Sequence, residues 1–274
     1  MENDITIVTA FFDIGRGNLP TEKHGRVLPH YQHRSTNTYF EYFNNLAKLQ
    51  NDMVVYTTEN FAEQIYNIRD QHGLKDKTQV VVLESYLPPQ LQDVKTRVQE
   101  VMDSPDYYSR VNNPQLIEYW HSDYVLVNIF KSIYVTHAID SGLVKNDITA
   151  WIDFGYCRDD YRIPSSNKWT FPFDKEKIHF FNIRDIEPDR PIDDIIFTGD
   201  VYTMGCHIVA GTKKWDLLKR LMVGNLELLL KHNLIDDDQT LMLMSYLMKP
   251  EEFELHYVDQ SDWFIIFKNF NEIK

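Results

Sequence analysis

The sequence predicts an α/β fold, with a Rossmann-type, nucleotide-binding N-terminal half and a mixed α+β second half. Three observations predict it. Apolar runs of strand length alternate with helical patterns from residue 5 to residue 83, the order that builds a parallel sheet. A fourth apolar run, at 149–154, ends in a carboxylate. No internal repeat, Gly/Ser-rich linker or break in composition divides the 274 residues, so 1–274 reads as a single domain with halves at about 1–155 and about 156–274.

Residues 5–12 form the first buried strand and run into a loop containing Asp13, Gly15, Arg16, Gly17, Pro20, Gly25 and Pro29. Thr36 or Asn37 caps a helix with Phe40, Phe43, Leu46 and Ala47 on one face, and 53–57 form the second strand. The helical pattern repeats over 59–72 with Phe61, Ile65 and Ile68, Gly73 stops it, and 80–83 form the third strand. Residues 88–142 read as helical in two or three pieces before the strand at 149–154. Beyond it the pattern gives short strands near 178–182, 195–197 and 204–210, helices near 213–232 and 238–248, and closing segments at 253–258 and 263–267.

Composition narrows the class. Asp and Glu number 41 against 28 Lys and Arg, a formal charge of -13, which opposes wrapping a polyanion and excludes general nucleic-acid binding. Cys157 and Cys206 are too few for a disulfide scaffold or a four-cysteine zinc site, so a reducing cytoplasm is the default expectation. The N-terminus lacks the basic region and cleavage site of a signal peptide, and no apolar run approaches the ~18 residues a bilayer span needs.

The sharpest motif is Trp151-Ile152-Asp153-Phe154-Gly155-Tyr156-Cys157-Arg158. Ligands of open α/β sheets bind at the carboxyl ends of strands, and an Asp there can hold Mg²⁺ or Mn²⁺ or cap a turn. Asp236-Asp237-Asp238 precede a helix, where one carboxylate can cap while another acts as a base. The loop bearing Arg16, Lys23, His24, Arg26, His30, His33 and Arg34 is basic within an acidic whole, and reads either as an anion clamp or as a solvated loop.

Thr9 to Gly17, then Tyr39-Phe40-Glu41-Tyr42-Phe43, then Trp151 to Tyr156 resemble the bacterial HtrL/YibB family over about residues 5–267. That family is associated with lipopolysaccharide and other surface-polysaccharide gene clusters and is similar to GT-A glycosyltransferases. The resemblance implies a GT-A-like fold and transfer of a sugar from a nucleotide-diphosphate sugar, a UDP-sugar first, to a lipopolysaccharide, capsule or lipid-linked glycan acceptor. It places Thr9, Ala10, Phe11, Thr57, Lys131, Asp153, Gly155 and Tyr156 against the donor, with Lys131 on its phosphates. Asp237 or Asp238 becomes the base, with His207 next, and Gly205 admits a sugar ring. Asp153 and His256 become ligands of Mn²⁺ or Mg²⁺, although Gly155 stands where GT-A enzymes carry the second Asp of Asp-x-Asp, which leaves metal dependence open. The rival reading is a non-catalytic nucleotide-sugar or glycan-binding protein. A nucleotidyltransferase is disfavoured because no Gly-rich loop with a Lys follows the first strand. The basic, Trp-bearing stretch 213–221 suggests a peripheral contact with the inner membrane.

Overall fold

The computed structural model describes residues 4–159, 162–258 and 263–271. In chain order the elements are β1 (Ile5–Phe11), the short hairpin β2 (Glu22–Lys23) and β3 (Arg26–Val27), α1 (Thr36–Leu46), β4 (Met53–Thr57), α2 (Glu59–Gln71), β5 (Thr78–Val82), α3 (Gln92–Met102), α4 (Pro105–Tyr108), α5 (Ser122–Ile129), α6 (Lys131–Asp140), β6 (Ile148–Ile152), β7 (Ile178–Asn182), α7 (Ile192–Thr198), β8 (Thr203–Gly211), α8 (Trp215–Lys231), α9 (Asp238–Met248), β9 (Phe253–Tyr257) and α10 (Ile266–Asn269).

Seven strands form one sheet in the order β5-β4-β1-β6-β8-β7-β9. All pairings are parallel except those of β8, which runs against both of its neighbours. This is an α/β layout with a mostly parallel sheet, as the alternation of strand and helix patterns predicted, and one continuous sheet runs through both halves. β1 is central and buried on both faces, which is why its sequence is a continuous apolar run rather than an alternating one. Alternate residues feed two cores. Val8, Val54 and Trp151 pack with α3, α5, α6, α8 and α9, whereas Ile5, Ile7 and Phe11 pack with α1, α2, Trp169 and α10.

Several boundaries moved for local reasons. Ser35, not Thr36 or Asn37, caps α1, its hydroxyl accepting the Thr38 amide at 3.2 Å. The apolar triplet Ile195-Ile196-Phe197 lies in α7 rather than in a strand, because Asp193 and Asp194 favour the first turn and Gly199 ends it with φ 72°. The closing segment 263–267 leads into α10 rather than a strand. The helical stretch 88–142 divides into four α-helices, and α5 and α6 meet at Phe130, which ends one and starts the next.

One buried cation fastens the N-terminal half. Arg69 of α2 is fully buried and donates to the carbonyls of Ala47 (2.8 Å), Leu49 (2.6 Å) and Asn51 (3.1 Å) and to Thr78 Oγ1 (2.7 Å), while burial pushes its guanidinium down to about 10. It supplies the donors that the turn between α1 and β4 lacks. Arg69→Met leaves those carbonyls buried and unpaired, so we expect a loss of about 3 kcal/mol of unfolding free energy in denaturant titration. A loss below about 1 kcal/mol would mean that the turn finds other donors.

Candidate active-site cleft

The chain leaves β1 toward β4 on one side, and β6 flanks β1 on the other, so a crevice opens beyond their carboxyl ends. A cleft of about 650 Å³ occupies that place, within the range of small-molecule sites. Strand alternation sets its floor. Phe154 turns away into the aromatic cluster, stacking on Phe43 at 4.1 Å and Phe11 at 5.0 Å, while Trp151 and Asp153 turn to the cleft. The Trp151 indole donates to Asp153 Oδ1 at 2.8 Å and fixes the carboxylate's rotamer.

Lys131, at the start of α6, is buried at 3% exposure, and its ammonium meets three acceptors: Asp238 Oδ2 at 2.7 Å, the Gly205 carbonyl at 2.9 Å and Asp153 Oδ1 at 3.1 Å. Burial opposes the charge, but Asp153 and Asp238 outweigh it and hold the amine above its ordinary range. An ammonium has three donors, and all three are used. Gly205 makes the contact sterically possible. A Cβ there would lie 2.8 and 2.9 Å from Asp238 Cγ and Oδ1, and closer still to Oδ2.

The acidic run divides at the start of α9. Asp236 is buried and braces the turn, accepting from the Asp237 amide at 2.9 Å and from Thr240 Oγ1 at 2.7 Å, and burial pushes its carboxyl up to about 6. Asp238 points inward to Lys131. Asp237 is the cap, accepting the Gln239 amide at 3.0 Å, and it alone of the three is half-buried, on the cleft wall. Burial and the Asp238 charge raise its carboxyl well above the usual carboxylate range. Glu118 lines the same cleft, and burial, reinforced by Asp236, pushes it up to about 7.

Cations face this acidity. Arg16 enters from the β1 loop, where Asp13 accepts the Gly15 amide at 2.9 Å and the Thr36 hydroxyl at 2.8 Å, and Gly15 takes φ 78°. Its guanidinium donates to Gln32 O (2.9 Å) and Tyr39 Oη (2.7 Å). Arg34 and Arg158 also line the cleft, the latter 4.1 Å over the ring of Phe264. The other basic residues of the loop go elsewhere. His24 stacks on Tyr108 at 4.5 Å and Arg26 donates to the Asn112 carbonyl at 2.6 Å.

Residues 3–272 match the family described as a bacterial protein of unknown function, HtrL_YibB, and protein HtrL of Escherichia coli (strain K12) is 33% identical over 275 residues, covering 98% of this chain and 93% of that one. The chain belongs to the HtrL/YibB family. Among solved structures, mouse xyloside xylosyltransferase 1 aligns over 93% of this chain and 85% of its own at 12% identity and TM-score 0.42. The 4-diphosphocytidyl-2C-methyl-D-erythritol synthase of Anaerococcus prevotii DSM 20548 aligns over 94% and 87% at 11% identity and TM-score 0.38.

In this HtrL/YibB chain the cleft gathers Ala10, Phe11, Lys131, Asp153, Gly155, Tyr156, Asp237 and Asp238, and several other expected positions fall outside it. Thr9 is fully buried within the sheet. Thr57 is a latch, its hydroxyl donating to the Phe11 carbonyl at 2.9 Å. His207 cannot act as a base: it is fully buried among Tyr156, Trp169, Phe181 and Phe267, both ring nitrogens lack partners among the described residues, and burial pushes its imidazole down to about 3. Gly205 accommodates the Asp238 carboxylate rather than a sugar ring. Lys131 has no donor left for a phosphate.

His256 lies on β9, three strands from β6 and on the opposite face, so it cannot share an ion with Asp153. Nor do the cleft residues fit a resident divalent ion, because Asp153 Oδ1 and Asp238 Oδ2 already converge on an ammonium and Gly155 adds no carboxylate. In 213–221, Trp215, Leu218 and Leu221 are buried in the core, so that apolar face is not offered to a membrane. Among the described residues no helix is long and apolar enough to cross one. Glu118 escaped notice in the sequence, although a lone Glu inside Leu116-Ile117-Glu118-Tyr119-Trp120 was a signal, and Arg158 was named at the end of the strand motif without a role.

The raised Glu118 carboxyl has a consequence for stability. A carboxyl that binds its proton more tightly in the folded state contributes stability that is complete at pH 4 and lost as pH rises through about 7. We therefore expect unfolding free energy to fall between pH 4.5 and 8, and Glu118→Gln to remove about 1–3 kcal/mol of that fall. Equal slopes in parent and variant would place Glu118 in ordinary solvent.

Proposed function

We propose that the protein is a glycosyltransferase that moves a sugar from a nucleotide-diphosphate sugar, in the first instance a UDP-sugar, to a glycan acceptor of the lipopolysaccharide or capsule class. The observation that carries this reading is the contact of Lys131 with Asp153 and Asp238, which joins the end of β6 to the start of α9 and leaves Asp237 facing the cleft. The resemblance to GT-A enzymes carried by Thr9 to Gly17, Tyr39 to Phe43 and Trp151 to Tyr156 supports it.

In this reading the donor lies along the ends of β1 and β6, and Arg16, Arg34 and Arg158 meet the diphosphate charge as it builds on the leaving group. In an inverting transfer the acceptor oxygen attacks the anomeric carbon, Asp237 takes the hydroxyl proton, and the nucleoside diphosphate departs with the electrons of the broken C–O bond. In a retaining transfer Asp237 positions the hydroxyl. Asp238, held by Lys131, is the positioning residue in either case. Because the residues do not fit a divalent ion, no step is assigned to one. A second reading, a non-catalytic binder of nucleotide sugars, is favoured by the same ammonium, which takes the place between the two carboxylates.

UDP or a UDP-sugar should raise the melting temperature with chelator present, since a ligand that binds only the native state stabilises it by mass action. No shift with any nucleoside diphosphate sugar at millimolar concentration would overturn the donor assignment. Asp237→Asn keeps a cap acceptor, so it should fold and bind donor like the parent while turnover falls by roughly 10² or more. Its raised carboxyl also predicts an activity limb that rises with pH above the usual carboxylate range in the parent and disappears in the variant. Full transfer by Asp237→Asn would reduce that residue to a cap, and donor binding without turnover in the parent would select the second reading.

A further inference from the structure

On the face of the sheet opposite the cleft floor, β7 and β9 bring together three groups that the proposed reaction does not use: His179, Glu254 and His256. Their ligand atoms lie within 4.8 Å of one another. His179 Nδ1 is 2.9 Å from His256 Nε2 and 3.4 Å from Glu254 Oε2. Tetrahedral Zn²⁺ with bonds of about 2.0–2.1 Å spaces its ligand atoms about 3.4 Å apart, so the His179–Glu254 separation already matches and the hydrogen-bonded pair of rings has to open by about half an ångström.

The tautomer of His179 follows from its other nitrogen. Nε2 is 2.9 Å from the Asp174 carbonyl, which can only accept, so the ring proton is on Nε2 and Nδ1 presents a lone pair to the cluster. A second-shell carbonyl on a ligating imidazole is how proteins orient metal-binding histidines. Without an ion the cluster is short of protons. His179 Nδ1 and the Glu254 carboxylate are both acceptors facing each other, and the His256 Nε2 proton serves the first of them alone. A dication satisfies all three once the His256 proton moves from Nε2 to Nδ1.

Surroundings support the same reading. His179 is fully buried, and Phe173, Phe181 and Phe270 pack around the two rings. Glu254 is half-exposed and provides the way in. Because β9 is an edge strand held to the sheet through β7 alone, an ion bridging His179 to Glu254 and His256 would tie that edge down.

We propose that His179, Glu254 and His256 form a binding site for one zinc-class divalent cation, with two imidazoles and one carboxylate as protein ligands and water completing the tetrahedron. The site is independent of the proposed transferase reaction and lies two to three strand spacings, about 10–14 Å, from β6, the strand that leads to Asp153.

The test uses the full chain without an affinity tag, stripped with chelator and titrated with Zn²⁺ alone. The expected result is one ion per chain with a dissociation constant at or below about 1 μM, together with a rise in melting temperature. Co²⁺ in its place should give the visible absorption of a tetrahedral N/O site. Glu254→Gln, at an exposed position, and His256→Gln should each weaken Zn²⁺ binding by roughly 10-fold or more, and Asp153→Asn should leave it unchanged. If His256→Gln fails to fold, Glu254→Gln alone decides. The proposal is overturned if the parent binds no stoichiometric ion, if Glu254→Gln binds as the parent does, or if Asp153→Asn abolishes binding.

Discussion

The arrangement of the cleft depends on one buried ammonium. Lys131 has three N–H donors, and the fold brings it three acceptors from three elements: the carboxylate after β6, a carbonyl of β8 and the second carboxylate of the α9 start. Such a network is weak evidence for stability, since desolvation costs several kcal/mol per ion and attraction only returns it when geometry is good. Its value here is registration. A shift of α9 by one residue toward Gln239 would put an amide where the Asp238 carboxylate stands and leave the buried ammonium with Asp153 as its one anionic partner. Gly205 belongs to the same constraint, because any side chain there would push the Asp238 carboxylate off the ammonium.

With Asp238 and Asp153 committed to Lys131, the remaining chemistry of the cleft is set by what they leave over. Asp237 and Glu118 are carboxyls held above their ordinary range by burial and by neighbouring negative charge, which makes each a better proton acceptor than a solvated carboxylate. Arg16, Arg34 and Arg158 supply positive charge on the other walls. The protein as a whole carries -13, so an anion entering the cleft is attracted by a local field against a repulsive global one. A local arginine cluster in an acidic shell favours a small anion that can enter it over an extended polyanion.

How far the sequence could be read follows from which contacts are local. β1, β4 and β6 and the helices α1, α2, α8 and α9 are marked by apolar runs and period, and the Asp153 strand end and the acidic helix start follow from them. What failed was parity and pairing. Along a strand each residue faces opposite its neighbour, so Thr57 became a latch, and His207 entered an aromatic core while its neighbour Cys206 lines the cleft. That parity is fixed by the antiparallel register of β8 with β6, where Ile152 pairs with His207, a contact 55 residues apart. The role of Lys131 was misread for the same reason, since its three acceptors lie 22 to 107 residues downstream, and only their meeting shows that no donor is left over.

The two clusters of charge on opposite faces of the sheet differ in a way that explains why one reads as a cation site and the other does not. Around Lys131 the negative charge of two carboxylates is met by a covalently attached cation of matching donor number, so an added ion would have to displace a buried ammonium and leave it unpaired. Around His179 the described residues place no ammonium or guanidinium in hydrogen-bond or ion-pair contact with the cluster, Lys177 donating instead to the Glu251 carbonyl. Two neutral imidazoles and a carboxylate point their lone pairs into one volume, and the single shared proton between the rings is the least the chain can do to offset them. Asp153 at the strand end is one of the two metal ligands expected from the sequence, yet the protein has filled the position beside it with a cation from its own chain. The imidazole pair, 77 residues apart and without a spacing motif, is where a borderline ion finds two ring nitrogens and a carboxylate converging with a single proton between them.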